Sequence, residues 1–199
     1  MARVLYQGHG SMRFTTDAGT VIYLDPYMGN GYDKPADLIL VTHQHYDHTA
    51  IDLPPHADGC VVWQNMDSHP APDVWLTRTF GDVTVEAVQA CNLMHPIDKC
   101  VGYLLSMDDV LVYCAGDTSR TPQMSELASR HIDYAFLPGD GIYNMNVATA
   151  ADCARLIGAA HNVPVHLKPV KPYGEAAAQR FAKLAPNAML IRPGEDVEL

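Results

Sequence analysis

Residues 38–48 of the chain read Leu38-Ile39-Leu40-Val41-Thr42-His43-Gln44-His45-Tyr46-Asp47-His48. The first four residues are apolar and favour a buried β-strand, and the polar residues follow at its end. Because successive side chains alternate along an extended chain, His43, His45 and Asp47 point to one side. His48 points away from this set and is free to bind a neighbouring ion. The segment therefore predicts a metal site with ligands for up to two adjacent ions.

The composition indicates one globular domain, residues 1–199. Of the 199 residues, 48% are hydrophobic, which is enough for one sizeable core. The net charge of −10, without a local cluster of Lys and Arg, argues against a nucleic-acid partner. No run approaches the ~18 apolar residues that span a bilayer, and the first residues lack the apolar core of a signal peptide. Five cysteines without a Cys-x-x-Cys pair are typical of free thiols, so we expect a cytoplasmic protein without a membrane partner.

Short strand patterns dominate the first half of the chain, and helical patterns enter in the second half. The predicted strands are Val4–Gln7, Met12–Thr16, Val21–Leu24, Leu38–Thr42, Cys60–Trp63, Val74–Thr77, Val83–Ala87, Val101–Leu105, Val110–Cys114, Tyr134–Leu137 and Val163–Leu167. The predicted helices are Pro122–Ser129 with Thr121 as its N-cap, Ala148–Ala160 and Gly174–Leu184. Strands followed by helices in each half predict an α+β fold of two packed sheets with helices outside.

Further candidate ligands lie at the ends of other predicted strands, where a rigid scaffold can orient them. They are His95, Asp117, Asp140 and His166. His161 competes with His166 as the last ligand, but the pattern places His161 at the end of a helix, so we favour His166. Imidazole and carboxylate groups together suit Zn²⁺, and also Mn²⁺ or Fe²⁺.

These motifs, in this order, resemble the metallo-β-lactamase superfamily. The resemblance rests on Thr-His-x-His-x-Asp-His at 42–48, on the Gly-Asp-Thr turn at 116–118 and on the final His166. Three shorter motifs are similar to the branch of ascorbate-6-phosphate lactonase-like enzymes and other metal-dependent hydrolases. These are Gly8-His9-Gly10-Ser11, Asp25-Pro26, and His95-Pro96 before Gly102-Tyr103. The resemblance runs from about residue 3 to residue 170.

The resemblance implies a four-layer αββα sandwich with the site at one edge of the sheets. It also implies two divalent metal ions, with Zn²⁺ as the first choice and Mn²⁺ or Fe²⁺ as alternatives. The implied ligands are His43, His45 and His95 for one ion, Asp47, His48 and His166 for the second, and Asp117 as a bridge between them.

Other residues near these motifs are candidates for positioning ligands or binding substrate. His9 matches a family position near the site, either as a substrate contact or as a structural residue. Asp25 either orients a ligand histidine through its free ring nitrogen or ends a strand. Asp140 either lines the pocket or forms a turn, and Lys168 either recognises an anionic substrate group or is a solvated charge. The loop at 26–36 is the expected cover of the site.

The expected function is hydrolysis of a small-molecule substrate at a dinuclear metal site. A hydroxide held by the ions attacks an ester, a lactone or a phosphodiester, with a preference for a sugar-acid lactone, and Asp47 and Asp117 are catalytic. A diiron redox enzyme of the same fold is one alternative, but it resembles a pattern with Glu where this chain has His45. A non-catalytic metal-binding relative is the other, but its usual sign is the loss of ligands, and none is missing here. By analogy with the family we expect a homo-oligomer.

Overall fold

The computed structural model describes residues 1–199 and contains two six-stranded β-sheets. The strands are Arg3–Gly8 (β1), Ser11–Thr15 (β2), Val21–Leu24 (β3), Ala36–Val41 (β4), His56–Gln64 (β5), Thr77–Phe80 (β6), Val83–Gln89 (β7), Val101–Met107 (β8), Val110–Cys114 (β9), Tyr134–Pro138 (β10), His161–Val165 (β11) and Asp196–Glu198 (β12). The first sheet has the order β12-β1-β2-β3-β4-β5, and the second has the order β11-β10-β9-β8-β7-β6. Both sheets are mixed, because β3 to β5 run parallel in the first and β9 to β11 run parallel in the second.

Four α-helices complete the fold, and the two long ones lie in the second half of the chain. They are Asn65–Ser68 (α1), Met124–Leu127 (α2), Val147–Ile157 (α3) and Glu175–Leu184 (α4). The Asn146 side chain caps α3 by accepting hydrogen bonds from the N–H groups of Ala148 and Thr149. Gly158, in the left-handed conformation, ends this helix. None of the helices has the length and apolar character that crossing a membrane requires.

Most predicted elements form, and the differences have local causes. The strand predicted at 74–77 forms instead at Thr77–Phe80, where the backbone pairs with β7. The predicted helix at 122–129 begins only at Met124, and Thr121 does not cap it. The strand β12 has no counterpart among the predictions, since its three residues depend on pairing with β1 at the far end of the chain.

The main core lies between the two sheets, because alternate side chains of both sheets point inward. Tyr6, Phe14 and Leu40 from the first sheet meet Tyr103 and Phe136 from the second, and all five are at most 1% exposed. The rings of Phe14 and Phe136 pack edge to face with their centroids 6.0 Å apart. The two sheets therefore form the predicted sandwich.

Different elements cover the two outer faces of the sandwich. On the second sheet, Leu127 and Phe181 from the helices pack against Tyr113 and Leu137. On the first sheet, loop residues including Ile51 pack against the buried side chains of the outer face. The helical layer therefore lies on the second sheet, whereas loops cover the first.

The loop at 26–36 packs against the first sheet more than over the site. Tyr32 stacks on Tyr23 with ring centroids 5.6 Å apart, and Arg13 donates a hydrogen bond of 2.8 Å to the carbonyl of Gly31. Tyr27 reaches the site residues, because its ring lies 5.5 Å from that of His9. Tyr27 is thus in contact with a residue of the site, but no residue of this loop lines the cavity beside the candidate ligands, and the rest of the loop completes the outer face.

The topology brings several strand ends to one edge of the sandwich. Asp25 and Thr42 directly follow β3 and β4. Asp117, Asp140 and His166 follow β9, β10 and β11 within a few residues. Because the carboxyl ends of parallel strands meet at the same edge, these polar side chains gather there from both sheets.

Candidate metal centre

Three histidines form the first group of donor atoms at this edge. One ring nitrogen each from His43, His45 and His95 lies within 4.8 Å of the other two. Nε2 of His95 is 3.1 Å from Nδ1 of His45. His43 and His95 are buried, whereas His45 is exposed. The structure thus brings together the three residues that were predicted to share one ion.

The second group contains Asp47, His48 and His166, and His9 joins it. Nε2 of His9 lies 3.2 Å from Oδ2 of Asp47, and Nε2 of His166 lies 4.0 Å from the same oxygen. The ring of His9 is fully buried against His166, with the two ring centroids 3.7 Å apart. The structure thus gathers the three residues predicted for the second ion and adds His9 to them.

The Asp117 carboxylate lies between the two groups. Its Oδ2 is 3.4 Å from Nε2 of His95 and 3.5 Å from Nε2 of His166. Its Oδ1 is 3.5 Å from Nε2 of His48. A carboxylate with oxygens near both groups has the geometry that a bridging ligand needs, as was predicted for this residue.

Asp25 is linked by hydrogen bonds to one histidine of each group. Its Oδ2 lies 2.8 Å from Nδ1 of His48 and also accepts the Thr42 hydroxyl at 2.7 Å. Since that hydroxyl donates to Asp25, its oxygen accepts the N–H at Nδ1 of His43, 3.0 Å away. These bonds place a proton on Nδ1 of both histidines, so Nε2 is the atom that each would offer to a metal ion. Asp25 therefore orients ligand candidates in both groups, one directly and one through Thr42.

Two further side chains lie next to the Nδ1 atoms of His95 and His166. Oδ1 of Asn92 lies 2.8 Å from Nδ1 of His95, and Oδ2 of Asp140 lies 3.0 Å from Nδ1 of His166, at ion-pair distance. Asp140 also accepts backbone N–H bonds from residues 142–144, which fix its carboxylate. Sequence reasoning missed Asn92 and Thr42 as positioning residues. For Thr42 the signal was its place directly before the first ligand, and for Asn92 it was the three-residue spacing to His95.

Three residues of the centre have a backbone conformation that is unfavourable for L-amino acids. The φ angles of His9, Asp25 and His166 are 57°, 46° and 45°. Asp and His adopt this left-handed region more readily than most residues, but each instance still costs free energy. Such strain persists where surrounding contacts impose it, and here each of the three side chains contacts another residue of the centre.

Burial and neighbouring charges set the pKa values of the histidines. Burial, assisted by the positive charges of His48 and His95, holds the pKa of His43 far below its usual range. Burial also acts on His48, but the carboxylates of Asp25 and Asp117 outweigh it and raise the pKa of His48 to about 9. The centre without metal thus combines a histidine that is ready to ligate with one that holds a proton.

The carboxylate of Asp47 is held in its ionised form. Burial alone raises the pKa of Asp47, but the hydrogen bond from His9 and the charge of His48 outweigh burial and lower that pKa below the usual range. Both ring nitrogens of His9 face oxygen acceptors at 3.2 Å, so a neutral ring donates either from Nε2 to Asp47 or from Nδ1 to the carbonyl oxygen of Lys171. His9 therefore fixes the position of Asp47.

The donor atoms fit a divalent metal ion. Nε2 atoms of His43, His48 and His166 are buried and have no hydrogen-bond partner. Buried polar atoms without a partner are costly, and an ion between them would satisfy several at once. Imidazoles and carboxylates are donors that Zn²⁺ and similar ions prefer, and His43, His48 and His95 are each held by a second hydrogen bond at Nδ1.

A cavity of about 250 Å³ opens above the two groups. Its lining includes the candidate ligands His45, Asp47, His95, Asp117 and His166. The rest of the lining is Tyr46, Met94, Tyr143, Pro169 and Val170. Lys168, the predicted anion-recognition residue, is exposed and is not part of this lining. A substrate in the cavity would therefore face donors of both groups.

The choice of His166 over His161 agrees with the geometry, but its stated reason was wrong. The helix ends at Gly158, so His161 begins β11 instead of ending a helix. His161 is exposed and stacks on Tyr134 with ring centroids 4.7 Å apart. His166 follows the other end of the same strand and thereby reaches the donor groups.

Comparisons with known proteins agree with this fold and site. The beta-lactamase superfamily domain matches residues 3–166, so the chain belongs to that superfamily. A UPF0173 metal-dependent hydrolase from Geobacillus sp. strain WCH70 is 31% identical and covers 99% of this chain and 100% of its own length. The relative from Geobacillus thermodenitrificans is 29% identical with the same coverage. The chain therefore belongs to the UPF0173 family of metal-dependent hydrolases, which confirms the predicted class of enzyme.

The alignments with these relatives are longer than the chain itself. The alignment with the Geobacillus sp. protein runs over 232 positions, against 199 residues here. The relatives therefore contain segments that this chain lacks.

A solved structure confirms the fold class. The metallo-beta-lactamase fold protein YhfI from Bacillus subtilis superposes with a TM-score of 0.76 and covers 100% of both chains at 14% identity. At this identity the likeness concerns the fold alone. It confirms the α+β sandwich, whereas the lactonase-like branch rests on the sequence resemblance only.

Proposed function

We propose that this chain is a hydrolase with a dinuclear metal centre. The observation that carries the proposal is the pair of donor groups that share Asp117. Its two carboxylate oxygens lie 3.4–3.5 Å from histidine nitrogens of both groups. Two ions about 3.5–4 Å apart and joined by a carboxylate are typical of hydrolytic centres.

The proposed ligands follow the two donor groups. They are His43, His45 and His95 for one ion, Asp47, His48 and His166 for the other, and Asp117 for both. Zn²⁺ is the first choice because imidazole dominates the donors, and Mn²⁺ or Fe²⁺ remain alternatives. His9 positions Asp47, and Asp25, Asn92 and Asp140 fix the ring orientation of ligand histidines.

The reaction requires activated water and stabilised negative charge. When bound, two divalent ions supply both, since they lower the pKa of water and attract a developing oxyanion. Asp47 is the carboxylate of the centre that faces the cavity most openly, with 19% of its side chain exposed against 5% for Asp117. We assign Asp47 the transfer of the proton that the attacking water loses, from its own carboxylate oxygen to the leaving group.

The proposed substrates are small molecules with an ester, lactone or phosphodiester bond. The earlier preference for a sugar-acid lactone rests on the resemblance alone, because no cavity residue argues for it. A diiron redox enzyme remains the competing hypothesis. His45 argues against it, since its imidazole nitrogen stands 3.1 Å from His95 where the diiron pattern has a carboxylate.

Loss of the bridging carboxylate tests the proposal. In the Zn²⁺ and Mn²⁺ forms, we expect Asp117→Ala to lower hydrolysis of esters, lactones or phosphodiesters by more than about 100-fold and to reduce bound metal. Asp52→Ala, at an exposed position, is the matched control. Turnover is measured over a substrate panel, metal content by elemental analysis, and folding by thermal unfolding. Undiminished turnover in folded Asp117→Ala protein, or iron-dependent oxygen consumption without hydrolysis, would overturn the proposal.

We further propose a cytoplasmic homo-oligomer. All five cysteines are free thiols, and three of them are buried, which suits a reducing compartment. Cell fractionation tests the compartment, and light scattering after size-exclusion chromatography tests the oligomeric state.

A further inference from the structure

The mouth of the cavity is apolar on every side that does not carry a candidate ligand. Tyr46, Met94, Tyr143 and Val170 line it, together with Pro169. These four side chains are 49–67% exposed and lie together around one cavity, which is more informative than exposed apolar residues scattered singly. They come from separate loops, and a hydrogen bond of 3.0 Å from Asn92 Nδ2 to the carbonyl of Tyr143 ties two of these loops together. An apolar collar therefore surrounds the entrance to the metal centre.

The cavity offers little attraction to an anion. None of its ten lining residues is Lys or Arg, and Lys168 and Lys171 are exposed outside it. Asp25, Asp47 and Asp117, with Asp140, bring four negative charges to the centre, which equals the charge of two divalent ions. A loaded centre would have no formal surplus of positive charge for a phosphate or carboxylate group of the substrate.

Val170, a residue of this collar, has a strained backbone conformation. Its φ angle is 47°, a conformation that a β-branched residue adopts only under constraint. The next two residues supply the constraint, because both are held against His9. The carbonyl of Lys171 contacts the His9 ring, and the carbonyl of Pro172 accepts the backbone N–H of His9 at 2.7 Å. The strain thus keeps an apolar side chain at the rim of the cavity.

We infer that the substrates are uncharged esters or lactones with an apolar acyl or aryl group seated in this collar. The inference rests on the proposed function and narrows it, since it disfavours phosphodiesters and sugar-acid lactones. Hydrolysis of such an ester breaks the acyl C–O bond, joins the water oxygen to the acyl carbon and passes a proton to the leaving oxygen. The reaction needs no other reactant.

A series of p-nitrophenyl esters tests the acyl preference. Each buried methylene is worth about a fourfold gain, and the hexanoate has four more methylenes than the acetate. Burial of two of them already exceeds a tenfold gain, so we expect kcat/KM for the hexanoate to exceed that for the acetate by about tenfold or more, after correction for spontaneous hydrolysis. Bis(p-nitrophenyl) phosphate, which has the same chromophore and one negative charge, should be the poorer substrate. Equal kcat/KM values along the series, or a preference for the phosphodiester, would overturn the inference.

Adjacent residues of one loop provide the matched variants. Met94 lines the cavity, whereas Leu93 is fully exposed outside it. We expect Met94→Gln to lower the hexanoate-to-acetate ratio by about threefold or more, and Leu93→Gln to leave the ratio unchanged. Val170→Asn should lower the ratio as well, and it should not unfold the loop because asparagine tolerates a positive φ better than valine does. Equal ratios in Met94→Gln and the wild type would contradict the collar.

A binding measurement keeps the two proposals separable. The nine methionine methyl groups are labelled with ¹³C, and the Met94 signal is identified by its loss in Met94→Gln. Titration with 2-octanone, an uncharged ester mimic that cannot be hydrolysed, should shift the Met94 signal, and acetone should shift it much less. If no substrate is hydrolysed, the proposed function fails, and this titration still decides whether the collar binds uncharged apolar molecules. An unmoved Met94 signal would refute the collar as a binding site.

Discussion

At the scale of single residues, Asp25 has the widest influence on the centre. Its buried carboxylate contacts His48 directly and reaches His43 through the Thr42 hydroxyl. It also accepts the backbone N–H of Thr42 at 2.7 Å, which fixes the start of the ligand segment. One side chain therefore sets the protonated nitrogen of a histidine in each donor group, although it would bind neither ion itself.

Asp25→Asn should weaken metal binding in both groups. The amide NH₂ would face groups that already donate hydrogen bonds, so the ring orientations of His48 and His43 would loosen. We expect a loss of about 10–100-fold in affinity for each ion, the usual effect of removing such a partner. Competition with a chromophoric chelator measures the affinities.

Asp37→Asn is the control for this substitution. Asp37 also accepts a backbone N–H, from Val21, but it is exposed and does not contact the histidines. Two ions bound to Asp25→Asn with wild-type affinity would show that the carboxylate does not orient the ligands.

At the scale of elements, the turn after β9 determines the position of the Asp117 carboxylate. Gly116 has a φ of 63°, directly before Asp117. A Cβ atom there would lie 2.8 Å from the carbonyl oxygen of Val101 and 3.0 Å from Cβ of Thr42. The turn therefore packs closely against Thr42, and only glycine fits at position 116. This close packing fixes the end of β9 relative to the end of β4.

Gly116→Ala should destabilise the fold and displace Asp117. We expect a loss of about 3 kcal/mol, from the left-handed backbone and from overpacking against Thr42. Gly158→Ala is the matched control, because φ there is 71° and open space surrounds the Cβ position. It should cost only about 1 kcal/mol. Urea unfolding measures the free energy of unfolding of both variants. Equal losses in the two variants would mean that the close contacts at Gly116 add no cost.

At the scale of the whole molecule, buried thiols lower the free energy of unfolding at alkaline pH. Burial raises the pKa of Cys153 to about 11 and that of Cys100 to about 12, and it holds the pKa of Cys114 well above its usual range. In the unfolded chain these thiols ionise near pH 8.5. Above that pH the native state binds more protons than the unfolded state, so stability falls as pH rises.

Cys153→Ala should flatten this alkaline loss. Between about pH 8.5 and pH 11, ionisation of the Cys153 thiol in the unfolded chain lowers the free energy of unfolding by on the order of 2 kcal/mol. Cys153→Ala has no thiol at this position and avoids this loss. Urea unfolding of reduced protein from pH 7 to pH 10 measures the slope. Cys60→Ala is the comparison, because partial burial also raises the pKa of Cys60 but less than that of Cys153, so this variant should flatten the slope less. A slope for Cys153→Ala as steep as that of the wild type would show that this thiol ionises in the folded protein.

Local sequence determined the components of the site. The apolar strand before Thr42 was enough to predict a metal-binding segment at its end. The alternation of side chains, which grouped Asp47 with His43 and His45 and set His48 apart, was wrong, because the segment bends after Thr42 and Asp47 lies in the same donor group as His48. The same logic of strand ends pointed to Asp117 and His166, because period-two patterns and turn residues act over a few positions. The two-sheet sandwich followed from the order of strands and helices.

Only the tertiary structure decided how these components meet. Asp25 lies 23 residues from His48 and Asn92 lies 51 residues from Tyr143, so no local pattern could reveal their contacts. The strand β12 exists only because β1 offers it an open edge, and the apolar collar forms only because separate loops converge at one edge. The physical reason is that short segments of sequence determine which residue types are available as metal ligands. The orientation of their rings, the hydrogen bonds that hold them and the shape of the cavity arise from packing between segments far apart in the chain.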